Sequence, residues 1–199
     1  MNKQSLSYTV VFSFIVCFAF VFLLSLTHQA TRERVELNQQ LRLQRSVLSA
    51  LAIDWEDDQE VMRLFDDIET VEHNGMTLYR IDRDDEVLYA RIFAGSGVWG
   101  TINGVVGVNQ EVNRTVALEI IDHNETPGLG GRVDEPEFKR QFRDKPLDDG
   151  RIDVIREGET EGVDGRIDAI TGATGTSKAM ETILNREFER LRDALRGEA

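Results

Sequence analysis

The sequence predicts an α+β fold: an N-terminal single transmembrane helix followed by an antiparallel-sheet domain with flanking helices. Three observations predict it. An apolar run covers Tyr8 to Leu26. Segments that alternate apolar and polar side chains succeed one another between Met76 and Asp122, separated by polar turns. A helix-periodic apolar stripe closes the chain from Ser177 to Arg196. Strands that follow one another and are then followed by helices are the pattern of an antiparallel sheet. The expected division is an anchor over 1–29, a juxtamembrane helical segment over 30–72 and the sheet domain over 73–199.

The apolar run has no charge between Lys3 and Arg32, and its length is close to the ~20 residues that cross a bilayer as a helix. A cleaved signal peptide would have a shorter apolar core and an Ala-x-Ala-like site. Ser25-Leu26-Thr27 is a poor match, so an uncleaved anchor is expected. Lys3 is the basic residue before the run, while Arg32, Arg34, Arg42 and Arg45 follow it. The distribution of basic residues by itself puts the body of the chain on the cytoplasmic side.

From Ala30 to Ile53, Val35, Leu41, Val47, Leu48 and Leu51 recur at helical spacing, which extends the membrane helix into water. An acidic connection, Asp54-Trp55-Glu56-Asp57-Asp58, leads to a short helix over 60–68. Strands are expected over Met76–Ile81, Glu86–Ala94, Ile102–Val108 and Thr115–Asp122. In the second, Val87, Tyr89, Arg91 and Phe93 lie opposite Leu88, Ala90 and Ile92. Asp82–Asp85 and Asn109–Arg114 are the hairpin turns, and Gly95–Gly100 is a glycine-rich bend carrying Trp99. A helix over Pro136–Arg143 and a short strand over Ile152–Ile155 follow. Met180, Ile183, Leu184, Phe188, Leu191 and Leu195 give the last helix its packing face.

With 199 residues and a formal charge of −13, the chain repels phosphate backbones, so nucleic acid is not expected as a partner. The one cysteine, Cys17, lies in the apolar run, which leaves no disulfide framework and no Cys-rich metal site. His28, His73 and His123 are scattered, and no metal is expected. No side-chain dyad or triad suggests a catalytic centre.

The most informative stretch is Asp168-Ala-Ile-Thr171-Gly172-Ala173-Thr174-Gly-Thr176-Ser177, which opens the last helix. Gly175-Thr176-Ser177-Lys178 has the wrong order for a Walker loop, in which the lysine precedes the hydroxyl. The residues alone leave two readings. In one, Thr176 or Ser177 caps the helix; in the other, a threonine among residues too small to bury it meets a phosphate at the helix N-terminus.

Asp168-x-x-Thr171-Gly172-Ala173-Thr174 resembles the flavinylation motif of the FMN-binding domain family, which includes NqrC of the sodium-translocating NADH:quinone reductase and RnfG of the RNF electron-transport complexes. His123-Asn124-Glu125-Thr126-Pro127-Gly128-Leu129-Gly130-Gly131 resembles the family's other signature, and Gly97-Val98-Trp99-Gly100 and Gly162-Val163-Asp164-Gly165 resemble segments of NqrC. The resemblance implies that 73–199 is an FMN-binding domain with FMN joined to Thr174 by a phosphoester. A separate flavin transferase would install it from FAD, reading Asp168, Thr171, Gly172 and Ala173. Glu125, Thr126, Leu129, Gly130 and Trp99 would contact the flavin. It implies an electron-carrying subunit of an ion-translocating oxidoreductase among multi-span partners. It also implies an inner-membrane location with the domain on the periplasmic side, against the charge distribution. The alternatives are an anchored redox-sensing module outside a pump, and a scaffold whose motif is an unmodified cap. Trp99 has a commoner reading as a core or sheet-edge aromatic.

Overall fold

The computed structural model describes residues 6–83, 86–155 and 165–196. Asp84 and Asp85 of the first hairpin loop and Gly162–Asp164 ahead of the motif lie outside the described residues.

Helix α1 runs over Leu6–Ala50, so the apolar run and the amphipathic stretch behind it are one helix, as their periodicity predicts. The chain divides into two compact units between Gln40 and Leu41. In the first unit the apolar side chains of 10–26 are exposed, Val16 alone being half-buried. Phe14, Phe18 and Phe22 stack at intervals of four residues, the spacing that brings side chains together on one helix face. By length and composition α1 is able to cross a membrane.

The second unit begins at Leu41. Val47, Leu48 and Leu51 at the end of α1, Val61 of α2 (Asp58–Asp66) and Ile68 are buried in one cluster with Leu88, Ala90, Val105 and Val116 of the sheet. Periodicity shows that a helix has an apolar face but does not show what covers it. Helix α2 starts two residues earlier than expected because Asp57 caps it. The Asp57 carboxylate accepts from the Glu60 N–H at 2.9 Å, and the Glu60 carboxylate accepts from the Glu56 N–H at 2.8 Å. The two carboxylates occupy otherwise unpaired donors at the start of the helix.

The sheet is antiparallel, with strands β1 (Glu69–His73), β2 (Met76–Arg83), β3 (Glu86–Ser96), β4 (Thr101–Asn109), β5 (Arg114–Asp122) and β6 (Lys145–Pro146) in sequence order. Its alternation resolves two buried faces. Tyr89, Phe93, Val106 and Leu118 join Met180, Leu184, Phe188 and Leu191 of α4 (Thr174–Leu195). Leu88, Ala90 and Val105 point to the opposite face and meet α1 and α2. Burial on both faces explains why Val105-Val106-Gly107-Val108 reads as a continuous apolar run. Each such side chain, fully buried, contributes about 1.5–3 kcal/mol. Helix α3 (Pro136–Arg140) lies between β5 and β6. A second, parallel pair joins β7 (Asp153–Ile155) to β8 (Arg166–Asp168).

Three short strands are absent from the sequence expectation: β1, β6 and β8. Strand β1 reads Glu-Thr-Val-Glu-His, too polar and short to signal itself, and it exists because β2 pairs with it along its length.

Gly107 of β4 carries a prediction. A Cβ there would collide with the backbone carbonyl of Ala50 at the end of α1. Gly107→Ala is expected to cost ~1–3 kcal/mol through overpacking. That is about 2–4 °C in Tm for each kcal/mol at this chain length, measured by thermal unfolding.

Candidate functional site

Strand β8 delivers the motif, and Gln141 holds its end. The Gln141 Oε1 accepts from the Asp168 N–H at 2.6 Å and its Nε2 donates to the Asp168 carbonyl at 3.3 Å. The side-chain amide thus pairs with the backbone as another strand would. After Asp168 the chain buries Ile170 and turns sharply through Gly172, whose φ is +80°, a left-handed conformation that glycine adopts without steric cost. Ser177 closes the turn: its Oγ accepts from the Ile170 N–H and donates to the Ala173 carbonyl, both at 3.0 Å.

Helix α4 begins at Thr174, three residues earlier than the sequence suggests. Ala173 stands at the cap position and no side chain caps the helix. The cap reading of Thr176 and Ser177 is therefore corrected. Both hydroxyls are buried and bond elsewhere, Ser177 to the turn and Thr176 to Glu125. Thr171, Gly172, Thr174 and Gly175 are exposed.

Glu125 is 4% exposed. Its Oε1 accepts from the backbone N–H groups of Val98 at 2.8 Å and Trp99 at 3.0 Å, and its Oε2 accepts from the Thr176 hydroxyl. The Glu125 N–H in turn donates to His123 Nδ1 at 3.2 Å. Burial pushes this carboxyl up. The hydrogen bonds from Thr176, Trp99 and Val98 outweigh burial and leave it below its ordinary value. Small residues make room for it, since a Cβ at Gly130 would come within 2.6 Å of Oε2.

A cleft of about 160 Å³ forms where these segments meet. Val98 and Trp99 form one wall, Thr126, Leu129 and Gly130 another, and Gly172 to Thr176 the third. Trp99 is 71% exposed, so it is not a core aromatic. Val98 and Leu129 are also exposed, which makes the mouth apolar in an acidic chain. The cleft brings together eight residues singled out from the sequence: Trp99, Glu125, Thr126, Leu129, Gly130, Gly172, Ala173 and Thr174. Asp168 and Thr171 lie outside it, in a neighbouring hollow with Gln141. Thr171 and Thr174 also line a third, apolar hollow with Val154, Ile155 and Ile170.

Residues 97–188 match the family model described as the FMN-binding domain. Over that stretch the chain is similar to the FMN-binding domain family. Its cleft residues from Val98 to Thr176 all fall inside the matched stretch. The chain is 31% identical over 120 residues to NqrC of the Na(+)-translocating NADH-quinone reductase of Pseudomonas aeruginosa, an alignment covering 55% of this chain and 45% of that one. It is 34% identical over 89 residues to RnfG of the ion-translocating oxidoreductase complex of Methanosarcina acetivorans, covering 45% and 43%. The chain thus spans less than half the length of these relatives. Its fold is that of the crystal structure of NqrC of the Na(+)-translocating NADH-quinone reductase from Parabacteroides distasonis, with a TM-score of 0.69, 20% identity, and coverage of 82% of this chain and 96% of that one.

Gln141, Ser177, Thr176 and Val98 shape this cleft and its surroundings but are not among the site residues expected from the sequence. The hydroxyls of Thr176 and Ser177 were visible in the motif, but their direction was not. Gln141 acts across 27 residues of chain and leaves no local signal.

The direction of the Glu125 shift fixes a pH dependence. Its folded value lies below the ordinary one, so the stability it contributes is complete above the unfolded-state value and is lost as pH falls through the folded one. In urea unfolding, the gap between the wild type and Glu125→Gln is expected to be constant at neutral pH, above the ordinary glutamate range, and to shrink as pH falls below that range. A gap that stayed constant across that range would contradict the assignment.

Proposed function

We propose that the chain is an FMN-carrying electron-transfer subunit of a membrane-bound, ion-translocating oxidoreductase, with the FMN phosphate esterified to Thr174. The observation that carries this reading is the position of Thr174. It is the exposed first residue of a 22-residue helix whose N-terminus no side chain caps, at the edge of an apolar cleft.

The residues present suit such a group. The unpaired N–H groups and the positive end of the helix dipole favour a phosphate at this end. The exposed ring of Trp99 and the side chains of Val98 and Leu129 suit a planar aromatic ligand, and the glycines of the third wall leave room beside Thr174. In maturation the Thr174 oxygen would form the new phosphoester as the pyrophosphate of FAD breaks and AMP leaves, the hydroxyl proton passing to a base of the transferase. Asp168 and Thr171, held on the far side of the motif, suit recognition by that enzyme. The bound flavin would supply the electron-carrying chemistry, while the chain supplies orientation, attachment and a fixed electrostatic environment.

The names of the relatives supply the assembly: an NADH-quinone reductase and an ion-translocating oxidoreductase complex. In this reading residues 1–29 anchor the chain in the inner membrane, residues 73–199 carry the flavin on the periplasmic side, and the partners are the other membrane subunits of the complex.

The test is expression of the full chain with a flavin transferase. The denatured wild-type protein should keep yellow fluorescence, and the peptide containing Thr174 should carry the mass of FMN. Thr174→Ala should lose both completely and Thr174→Ser should keep them. Fluorescence that survives Thr174→Ala refutes the attachment site. Purification in mild detergent should recover multi-span membrane subunits with the chain.

A further inference from the structure

We propose that the buried charge of Glu125 holds down the reduction potential of the flavin bound in this cleft, a role separable from the shape the same side chain gives the cleft. The inference rests on the reading of Thr174 as the flavin attachment site.

Glu125 is a wall residue of the cleft that Thr174 borders, and at 4% exposure its carboxylate is screened little by water. Its donors are two backbone N–H groups and one hydroxyl. All three are neutral, so they orient the carboxylate and keep it ionised without cancelling its charge. A unit charge in a poorly screened wall acts strongly on any group beside it. Reduction adds electrons to the flavin. Where protons do not follow in equal number, the reduced ring carries negative charge, which a neighbouring carboxylate opposes. The oxidised form is thereby favoured.

The geometry also shows how charge and shape come apart. In Glu125→Gln the amide oxygen can accept from Val98 and Trp99 as Oε1 does. The amide N–H can donate to the Thr176 oxygen, whose own proton rotates away. The three segments stay tied and the charge is gone. Thr176→Val makes the converse change, removing a donor and leaving the charge.

The experiment is an equilibrium redox titration of the full chain, flavinylated in cells and purified in detergent. Dithionite, oxidised to sulfite, supplies two electrons per flavin, and the solvent supplies the protons. Glu125→Gln is expected to keep the wild-type flavin content and to raise the equilibrium constant for reduction about tenfold, which is about 30 mV for a two-electron couple. Thr176→Val is expected not to raise it. Thermal unfolding of the flavin-free chains reads shape alone, and there Glu125→Gln should stay closer to wild type than Glu125→Ala. Wild-type potential in Glu125→Gln overturns the proposal. So does an equal rise in Thr176→Val, or a Glu125→Gln chain that cannot fold or hold flavin. A wild-type chain that acquires no covalent flavin defeats the underlying reading instead.

Discussion

One buried carboxylate joins the three segments from which the cleft is made. Glu125 stands on the loop after β5, takes the backbone of the β3–β4 bend through Val98 and Trp99, and takes the first turn of α4 through Thr176. These segments are far apart in sequence, and each is rich in glycine. A glycine-rich loop is costly to order because its unfolded chain has so many states. Hydrogen bonds to an ionised acceptor are stronger than those between neutral groups, and removing a partner from a buried one leaves an uncompensated polar group. The carboxylate therefore fixes loops that their own composition leaves free.

The same bond decides which threonine faces outward. Successive residues of an α-helix are about 100° apart, so Thr174 and Thr176 point to nearly opposite sides. With the Thr176 hydroxyl held inward by Glu125, Thr174 is left exposed at the helix end, where it borders both the cleft and the neighbouring apolar hollow. Ser177, one residue on, is turned into the motif's own turn, where it satisfies Ile170 and Ala173. Neither hydroxyl reaches back to cap the helix, so the N-terminal N–H groups keep no side-chain partner. An uncapped end costs a helix roughly 1 kcal/mol. Here that cost leaves the helix end open at the one residue whose hydroxyl is presented.

Much of this was legible in the chain itself. The alternation of β3 correctly divided Tyr89 and Phe93 from Leu88 and Ala90, because a period of two residues reports which side chains share a face. The two glycine blocks and Trp99 were visible as a set, and the fold brings them to one cleft. What was hidden depended on contacts between distant residues. Strands β1, β6 and β8 exist through pairing with neighbours rather than through composition. The end of α1 joins the second unit because Val47, Leu48 and Leu51 meet the sheet, and no local pattern names a packing partner. Glu125 looked like a residue that would touch a ligand. The structure commits both its oxygens to the protein.

That commitment bears on how firmly the domain would hold a group attached at this end of the helix. The helix that presents Thr174 is buried through Met180, Leu184, Phe188 and Leu191 against a sheet whose other face is also covered. Its N-terminus is pinned by Glu125 and its approach strand by Gln141. A site on rigid elements, with supporting hydrogen bonds already made, holds its geometry more closely than one on free loops. A group attached there would meet nearly the same dipoles before and after its charge changed, because those dipoles are bound to one another. Preorganised polar groups of this kind need not reorient when charge develops. The fold thus places rigidity at Thr174 and leaves the exposed apolar side chains of Val98, Trp99 and Leu129 at the mouth of the cleft.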